Sequence, residues 1–379
     1  MYEVSPAGRG GLAGNRENSL ENSRGQVSQN KAWDFHRQRF DSIQALRGVA
    51  ALFVVLEHIR FLSCGAFGVD IFFCISGFMI MHSTYEKSEF FLRKRLIRIL
   101  PLYYLMTLGT FLLLLLFPEM FLQSKADPIF LAKSLLFIPF HIGDGAIQPL
   151  MRIGWTLNCE IFFYVLFYIA MSISHKYRGL ICSGFLILMA AAARLSSPFW
   201  VPLRFYGDPI MLEFIFGILI YYAARRLYQN FPSSNPSPAA RNFSVLCIVL
   251  CFGGLLVSRH TMDVAGFRRP ILWGLPAAVI VLLTFFIGLY NVKMPSSLIQ
   301  LGNASFSLYF MHYYPVMLLD RAVFDFSAVS SKALLGTGAA VALSVILALV
   351  SRELLEKRLS GFLAGHLLKN QFSRSKTET

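Results

Sequence analysis

The chain has 379 residues, of which 55% are hydrophobic and 15% are charged, and its formal net charge at pH 7 is +14. Soluble domains contain about 45–50% apolar and about 25% charged residues, so the composition excludes a soluble globular protein. The apolar residues form runs of about twenty, the length that crosses about 30 Å of hydrocarbon as a helix. The short alternating segments of a membrane β-barrel are therefore excluded too.

Ten apolar runs predict an all-α polytopic membrane protein. The predicted spans are 43–62, 66–83, 98–118, 155–173, 179–195, 208–224, 243–259, 271–290, 300–319 and 332–351. A further apolar stretch, 127–140, is too short to span and is predicted to be interfacial or re-entrant. Because the number of spans is even, both termini are predicted to lie on the same side of the membrane.

The distribution of basic residues predicts which side that is. Loops on the side of the termini carry roughly 23 Lys and Arg residues, against roughly 10 on the other side, and basic loops stay in the cytoplasm. Both termini are therefore predicted to be cytoplasmic. This bias, with attraction to anionic lipid headgroups, accounts for the positive net charge without nucleic-acid binding.

Three segments lie outside the predicted helical domain. Residues 1–38 are rich in Gly, Asn, Ser and Arg and predict a disordered cytoplasmic tail without the apolar core of a signal peptide. Residues 361–379 are predicted to form a cytoplasmic C-terminal tail. The stretch 231–238, rich in Pro and Ser, predicts a flexible cytoplasmic linker. The transmembrane domain is therefore predicted to cover 39–360.

Ionisable residues inside the predicted spans mark the candidate site, because they are costly in hydrocarbon and usually functional. Arg47 and His58 lie on the first span, eleven residues or about three turns apart. Both side chains therefore fall on one face, with Arg47 near the cytoplasmic mouth and His58 nearer the outer leaflet. Glu57 points about 100° away from His58, so it is a poor partner for that ring.

Two carboxylates are candidate partners of this histidine. Asp70, near the outer end of the second span, lies at a depth comparable to His58 and is placed to orient its imidazole. Glu160, in apolar surroundings on the fourth span, needs an arginine or His58 as its partner.

Arg95 and Arg98 enter the third span on one face, just before Pro101. Paired guanidinium groups at a cytoplasmic mouth suit phosphate groups. Cytoplasmic anchoring by basic residues, with the proline in the first turn of the span, is an equally good interpretation of this pair.

The remaining candidates are aromatic or imidazole groups. Trp155 is a candidate substrate contact, although an interfacial tryptophan is the simpler interpretation. Ser305, Tyr309 and His312 form one polar stripe on the ninth span, where His312 by itself resembles a packing histidine more than a catalytic one. The six cysteines lack metal-ligand spacing, so neither a metal site nor a disulfide framework is predicted.

Five segments resemble the signature blocks of the membrane acyltransferase-3 family in order and spacing. They are Arg47-Gly-Val-Ala-Ala with Glu57-His58, GVDIFFCISGF (68–78), RLIRILPLYYL (95–105), GWTLNCEIFFY (154–164) and GNASFSLYFMHYYP (302–315). The resemblance covers about 40–360. Within the family the chain is most similar to exopolysaccharide O-acetyltransferases of the succinoglycan and xanthan type. Glu356 and Lys357 also match the family's terminal acidic block, although Arg358 stands where proline is frequent.

The resemblance implies an O-acyltransferase of the bacterial inner membrane. Such enzymes move an acyl group, usually acetyl, from a cytoplasmic coenzyme A thioester to a sugar hydroxyl. The implied partners are acyl-CoA as donor, a glycan or lipid-linked sugar as acceptor, and membrane lipids, with no permanently bound cofactor. His58 is the implied catalytic residue in the pattern of arginine, ten residues and histidine that begins at Arg47, and Arg95 and Arg98 are implied in donor binding.

A mechanism follows as a hypothesis. The three arginines hold phosphates or the pantetheine arm, and His58 takes a proton from the acceptor hydroxyl as it attacks the thioester. Asp70 or Glu160 orients the ring. Trp155, Tyr309 and His312 are assigned to substrate binding. An acyl-imidazole intermediate on the histidine is the rival route.

Two other classes of protein remain as alternatives. A secondary transporter of a small anionic solute would also have many spans, but such proteins typically contain internal repeats, and no convincing repeat is found here. A non-catalytic subunit of a polysaccharide export complex is disfavoured by the intact pair of Arg47 and His58.

Overall fold

The computed structural model describes residues 35–36, 38–86, 90–118, 125–142, 145–196, 200–230, 237–290, 292–363 and 365. Almost all of the predicted N-terminal tail, most of the predicted linker and most of the predicted C-terminal tail lie outside these residues. Over the described ranges the chain is helical, and its only β-type pairing is an isolated bridge between His141 and Ile147. The predicted all-α fold is confirmed.

Fourteen α-helices are present in the described residues. They are α1 (Asp41–Glu57), α2 (Gly68–Ser83), α3 (Phe91–Leu116), α4 (Pro128–Leu135), α5 (Trp155–Ile173), α6 (Arg178–Leu195), α7 (Val201–Tyr206), α8 (Glu213–Asn230), α9 (Pro238–Thr261), α10 (Leu275–Gly288), α11 (Ser296–Asn303), α12 (Ser305–Met311), α13 (Tyr313–Leu319) and α14 (Ser331–Ser351). Each predicted span coincides with a helix or with a series of short helices. The short apolar stretch 127–140 contains only the eight-residue helix α4.

Six helical stretches among the described residues are long and apolar enough to cross a membrane. They are Phe91–Leu116, Arg152–Ile173, Arg178–Leu195, Pro238–Thr261, Pro270–Gly288 and Ser331–Leu363. Helices α1 and α2, with 17 and 16 residues, are shorter than these stretches. The multi-pass membrane character is confirmed, and the number of ten crossings stays a prediction.

The ninth predicted span is not one regular helix. It is divided into α11, α12 and α13, with interruptions at Ala304 and His312. Pro315 has no backbone N–H, so the carbonyl of Met311 loses its usual helical donor four residues later. This loss gives a local cause for the irregularity at His312.

Within the part of the chain that the structure describes, three π-helical turns also interrupt the helices, at Pro270–Gly274, Asp320–Phe324 and Arg352–Lys357. Single π-helical turns are frequent at functional sites because they change the direction in which side chains project. Two of these turns contain or adjoin charged residues that reach the helical interior, Glu356 in the last turn and Arg269 just before the first.

Helices α2 and α8 pack most closely at a pair of glycines, Gly77 and Gly217. A Cβ atom on either glycine would overlap a carbonyl oxygen of the other helix. Small residues permit this approach, which membrane helices use because dispersion contacts replace the hydrophobic effect in lipid. Bulky apolar side chains on α3 and α9 are exposed instead and are suited to contact lipid, for example Leu112 and Leu250.

The chain just before α1 also contributes to the helical interior. Phe35, within the predicted tail, is fully buried, and its ring packs edge-on against those of His82 and Phe285. His82 Nε2 lies 2.9 Å from the carbonyl oxygen of Phe35 and donates to it. At least this residue of the segment 1–38 therefore packs as part of the helical domain.

Candidate active site

Two histidines from distant parts of the chain meet at one end of the helical domain. His58 caps the C-terminus of α1, and His312 lies between α12 and α13. Nδ1 of His58 is 3.2 Å from Nε2 of His312, and the ring centroids are 4.7 Å apart. We call this end the outer end, in line with the predicted topology.

Backbone carbonyl groups determine which ring nitrogens carry protons. Nδ1 of His312 is 3.1 Å from the carbonyl oxygen of Leu308, and Nδ1 of His58 is 2.9 Å from that of Val54. A carbonyl oxygen only accepts, so both Nδ1 atoms are protonated, and Nε2 of neutral His312 carries a lone pair. His58 therefore shares its Nδ1 proton between Val54 and His312. Its own Nε2 lone pair remains to accept a proton from a substrate.

A cavity of about 180 Å³ lies between the inner ends of the helices and this histidine pair. Three of the predicted cationic residues, Arg47, Arg95 and Arg98, line it, as do the predicted residues Glu160 and Tyr309. Aromatic and aliphatic side chains in about equal numbers form much of the remaining wall. The cavity thus combines cationic groups with an apolar wall.

Arg47 projects into this cavity among the other charged groups. It interacts electrostatically with Arg98, Glu160 and Arg95. Glu160 is held in place by Ser76, whose hydroxyl donates to Oε1 at 3.0 Å, and the hydroxyl of Tyr164 donates to the same oxygen. Glu160 therefore balances part of the positive charge of the arginines, as the sequence prediction of an arginine partner requires.

Arg95 and Arg98 are not equivalent. Arg95 donates to the hydroxyl of Ser83 at 3.1 Å, and its guanidinium carbon lies 5.4 Å from the ring centroid of Tyr164. Arg98 Nε lies 3.4 Å from Oε1 of Glu356, which belongs to the last π-helical turn. The guanidinium of Arg98 is therefore shared between the cavity and a carboxylate.

Glu356 was not among the predicted site residues. Its side chain is only 9% exposed, and the hydroxyl of Ser307 donates to its Oε2 at 3.0 Å. The match of Glu356 and Lys357 to an acidic block was the signal in the sequence that could have identified it. Arg358, in the place where proline is frequent, obscured that signal.

Tyr309 lies between the cavity and the histidine pair. Its hydroxyl accepts from Thr156 Oγ1 at 2.8 Å and donates to the carbonyl oxygen of Ile153 at 3.0 Å. The centroid of its ring is 6.0 Å from that of His312. Tyr309 therefore connects the start of α5 to the histidine pair.

The structure gives Asp70 a partner other than His58. Arg269 binds both carboxylate oxygens of Asp70, with Nε 3.1 Å from Oδ1 and Nη2 2.9 Å from Oδ2. Asp70 is fully buried and its neighbour Glu213 is fully buried as well. The ring-orienting position that the sequence assigned to Asp70 or Glu160 is occupied here by His312, because the irregular helix brings its Nε2 to His58.

Arg269 and Glu213 are two further residues that the sequence analysis did not single out. Arg269 directly follows Arg268 and precedes Pro270, so it resembles a loop residue just outside the predicted span 271–290. A buried carboxylate such as Asp70 requires a cation at the same depth of the membrane, and this requirement was the signal in the sequence that could have identified Arg269.

Glu57, the residue before His58, holds the outer end of α1. Its carboxylate accepts from the backbone N–H groups of Gly65 and Ala66 at 2.8 and 3.0 Å. Arg259 on α9 pairs with it at 2.9 Å. Glu57 therefore contacts the turn after His58 rather than the imidazole, in agreement with its predicted direction.

Trp155 does not line the arginine cavity. It lines a second, larger pocket at the outer end, together with Arg204, Asp208 and Arg269. The arginine cavity faces the next residue of α5, Thr156. The structure therefore separates Trp155 from Arg47, Arg95 and Arg98, with which the sequence grouped it as a substrate contact.

The histidine pair and the arginine cavity lie at opposite ends of the candidate site and differ in chemistry. One end of the molecule holds a histidine with a free Nε2 lone pair, and the other holds three arginines around a narrow cavity. The histidine has the chemistry of a general base, and the arginines have the chemistry of a binding site for an anionic group.

Several known proteins are similar to this chain. The chain is 28% identical over 267 residues to the exopolysaccharide production protein ExoZ of Rhizobium meliloti, an alignment that covers 68% of this chain and 78% of ExoZ. It is 24% identical over 322 residues to the O-acetyltransferase OatA of Staphylococcus aureus, covering 73% of this chain and 51% of OatA.

A third relative is the putative peptidoglycan O-acetyltransferase YrhL of Bacillus subtilis. It is 27% identical over 327 residues, which cover 76% of this chain and 50% of YrhL. The chain thus spans about half the length of OatA and of YrhL. No solved structure matches it significantly.

Residues 40–351 match the family described as an acyltransferase domain, acyltransferase-3. The match covers most of the chain and includes nearly every residue of the candidate site. It begins just before α1 and ends with α14. The chain belongs to the acyltransferase-3 family of membrane O-acyltransferases.

Proposed function

We propose that this acyltransferase moves an acetyl group from a coenzyme A thioester to a hydroxyl of an exopolysaccharide or its lipid-linked precursor. The thioester enters the arginine cavity from the cytoplasm, and transfer takes place at His58. The protein lies in a bacterial inner membrane with both termini in the cytoplasm. Acyl-CoA is a substrate in this scheme, and no resident cofactor is required.

The contact between His58 and His312 carries the proposal. It leaves Nε2 of His58 as an unprotonated base and supplies Nδ1 with two acceptors, Val54 O and His312 Nε2. When Nε2 takes a proton, these acceptors stabilise the imidazolium that forms. A histidine that served only in packing would not need a second imidazole directed at its ring.

The arginine cavity supports coenzyme A as the donor. Arg95 and Arg98 lie at its inner mouth on a half-exposed face, where phosphate groups remain partly hydrated. Arg47 is farther inside, close to Glu160. The pantetheine arm is largely apolar and extended, so it fits the aromatic wall that leads toward Tyr309.

The transfer step conserves atoms and charge. The acceptor hydroxyl gives its proton to Nε2 of His58 while its oxygen attacks the thioester carbonyl carbon. The tetrahedral intermediate collapses, the carbon–sulfur bond breaks, and the thiolate of coenzyme A recovers the proton from Nε2. The products are an O-acyl ester and free coenzyme A thiol.

The rival route makes Nε2 of His58 the nucleophile. Its attack on the thioester carbonyl breaks the carbon–sulfur bond, releases the coenzyme A thiolate and yields an acyl-imidazole, while the Nδ1 proton passes to Nε2 of His312, which holds a lone pair. The acceptor hydroxyl then attacks the acyl-imidazole. Single-turnover reactions with radiolabelled acetyl-CoA and no acceptor, quenched with denaturant at neutral pH where an acyl-imidazole survives longest, separate the routes, because only the second leaves label on the protein.

The acceptor is proposed from the relatives. One of them is named for exopolysaccharide production and two for O-acetyl transfer, one of these to peptidoglycan. The greater coverage of ExoZ favours an exopolysaccharide over peptidoglycan. Succinyl transfer is the alternative for the acyl group.

The test uses the full chain purified into lipid nanodiscs. Wild type, His58→Ala and the control His260→Ala are incubated with radiolabelled acetyl-CoA and de-O-acylated polysaccharide from the source organism. His260 is an exposed histidine at the end of α9, so it matches the substitution without touching the site. Label in the polysaccharide that is released by mild alkali measures ester formation.

We expect wild type and His260→Ala to form ester at the same rate and His58→Ala to form it at least about 100-fold more slowly. Full activity of His58→Ala would remove this residue from the mechanism. Label that crosses the bilayer of proteoliposomes without joining any glycan would instead indicate a transporter.

A further inference from the structure

The second pocket, which we call the outer pocket, is separate from the arginine cavity. It has a volume of about 510 Å³, within the range of pockets that bind small ligands. Its wall includes Trp155, Phe205, Asp208, Arg204 and Arg269. We propose that it is a glycan subsite that holds a sugar unit of the acceptor next to the unit that is acylated. This inference rests on the proposed function.

Arg269 lines this subsite, and its guanidinium is held in one orientation. Its Nε and one N–H of Nη2 are bound by the two oxygens of Asp70. A guanidinium has five N–H donors, so three remain for a ligand or for solvent. The bidentate ion pair fixes the plane of the group, and a ligand therefore meets these donors without ordering a flexible side chain.

Trp155 and Asp208 add the other two groups that sugars require. Trp155 is half-exposed and presents an aromatic surface on which the C–H face of a pyranose ring can pack. Asp208 is exposed, and its Oδ1 accepts from the backbone N–H of Ile210 at 3.0 Å. The other oxygen of the carboxylate remains to accept hydrogen bonds from sugar hydroxyls.

The charges of the outer pocket favour a sugar over a phosphate or a lipid headgroup. Asp70 already balances the positive charge of Arg269, and Asp208 offsets that of Arg204, so the outer pocket has no excess positive charge to attract an anion. The arginine cavity, in contrast, contains three guanidinium groups and one carboxylate, Glu160. The donor and the acceptor thus have sites of different chemistry.

The outer pocket also lies on the side of the molecule where transfer takes place. Trp155 and Thr156 are consecutive residues in the first turn of α5, one facing the outer pocket and the other the arginine cavity. Thr156 donates to the hydroxyl of Tyr309, whose ring is close to His312. In the proposed arrangement, one unit of the polymer occupies the outer pocket while a neighbouring unit reaches His58.

Binding a unit away from the reacting hydroxyl predicts a dependence on acceptor length. The energy of the remote contact is available only to acceptors long enough to reach the outer pocket, and it can position the reacting unit. The quantity to measure is the length preference, which is kcat/KM for a long acceptor fragment divided by kcat/KM for a single sugar unit.

The chain offers a matched control for this measurement. Asp208-Pro-Ile and Asp127-Pro-Ile have the same sequence, and each aspartate Oδ1 accepts from the N–H of its isoleucine, at 3.0 and 2.7 Å. An asparagine keeps this bond in both places and removes the charge. Asp127 caps α4 and is not part of the outer pocket. Arg204→Gln, an exposed substitution in the pocket, provides a second variant.

Fragments of increasing length from the de-O-acylated polysaccharide of the source organism serve as acceptors, with the full chain in nanodiscs. We expect Asp208→Asn to lower the length preference about tenfold, the loss of one charge-assisted hydrogen bond, and Arg204→Gln to lower it as well. Asp127→Asn should keep the wild-type preference.

Three results would overturn the subsite. They are a wild type that acylates every fragment with no length preference, pocket variants that keep the wild-type preference, and an Asp127→Asn preference lowered as far as that of Asp208→Asn. A wild type that acylates no fragment at all would contradict the proposed function itself, so the two failures are distinguishable.

Discussion

Nδ1 of His58 lies 3.2 Å from Nε2 of His312, although the two residues are 254 positions apart in the sequence. The hydrogen bond of His312 Nδ1 to the carbonyl of Leu308 makes its Nε2 an acceptor. His58 is thereby held in the tautomer whose Nε2 is free to take a proton. This arrangement gives His312 the orienting function that a carboxylate has in many catalytic sites.

Removal of the second imidazole should slow the chemical step. We expect His312→Leu to lower kcat by about 100-fold with little change in the KM for acetyl-CoA, because Nδ1 of His58 loses an acceptor and its orientation. His312→Gln, whose amide oxygen can accept from Nδ1, should recover part of the rate. Steady-state kinetics in nanodiscs measures both effects, and equal losses for the two variants would point to packing alone.

Removal of the carboxylate beside Arg98 should strengthen donor binding. Glu356 lies 3.4 Å from Arg98 and competes with the phosphates of coenzyme A for its charge. We expect Glu356→Gln to lower the KM for acetyl-CoA about fivefold at low salt and less at high salt, because the site is partly exposed. A higher KM would show that Glu356 supports donor binding instead.

Glu353 provides the control for that experiment. It belongs to the same π-helical turn but is exposed and pairs with Lys357 at 2.6 Å. Glu353→Gln should leave the KM for acetyl-CoA unchanged. A similar fall in KM for both variants would indicate a general field effect rather than competition at Arg98.

Replacing Glu160 should restore the stability that is lost when Arg47 is replaced, but it should not restore donor binding. Arg47→Gln removes the most deeply placed of the arginines around Glu160 and leaves the charge of that carboxylate less well balanced, which we expect to lower the thermal midpoint of unfolding and the donor affinity. The double variant with Glu160→Gln removes the unbalanced charge and should regain most of the midpoint. It should not regain donor binding, which acetyl-CoA titration measures. Recovery of both would place Arg47 outside the donor site.

The ion pair of Arg269 and Asp70 should contribute to stability. Asp70 is fully buried, so Arg269→Gln leaves it and Glu213 without a cation, at a cost of about 3 kcal/mol or more. We expect a fall of several degrees in the thermal midpoint. Replacing Asp70 by Asn in the same chain should recover part of that fall, because one uncompensated charge is removed. An additive further loss would argue against the pair as a unit.

The sequence alone identified four residues that line the cavity, Arg47, Arg95, Arg98 and Glu160. Arg47 and Glu160 were selected because a charge inside an apolar run is costly, and Arg95 and Arg98 because paired guanidinium groups at a cytoplasmic mouth suit phosphates. The structure gathers all four around one cavity. Asp70 satisfied the same criterion, but its partner was Arg269, which stands next to a proline at the edge of a span and resembles a loop residue.

Local sequence determined the membrane class, the all-α fold and the approximate positions of the helices, since these depend on apolar length and backbone hydrogen bonding within each segment. It also determined which ionisable side chains lie within apolar segments, where burial of a charge is unfavourable without an oppositely charged partner. Only the tertiary structure decided the partners, because they depend on the relative positions of helices far apart in the chain. It placed His312 against His58, Glu356 against Arg98, and Trp155 in a pocket away from the arginines.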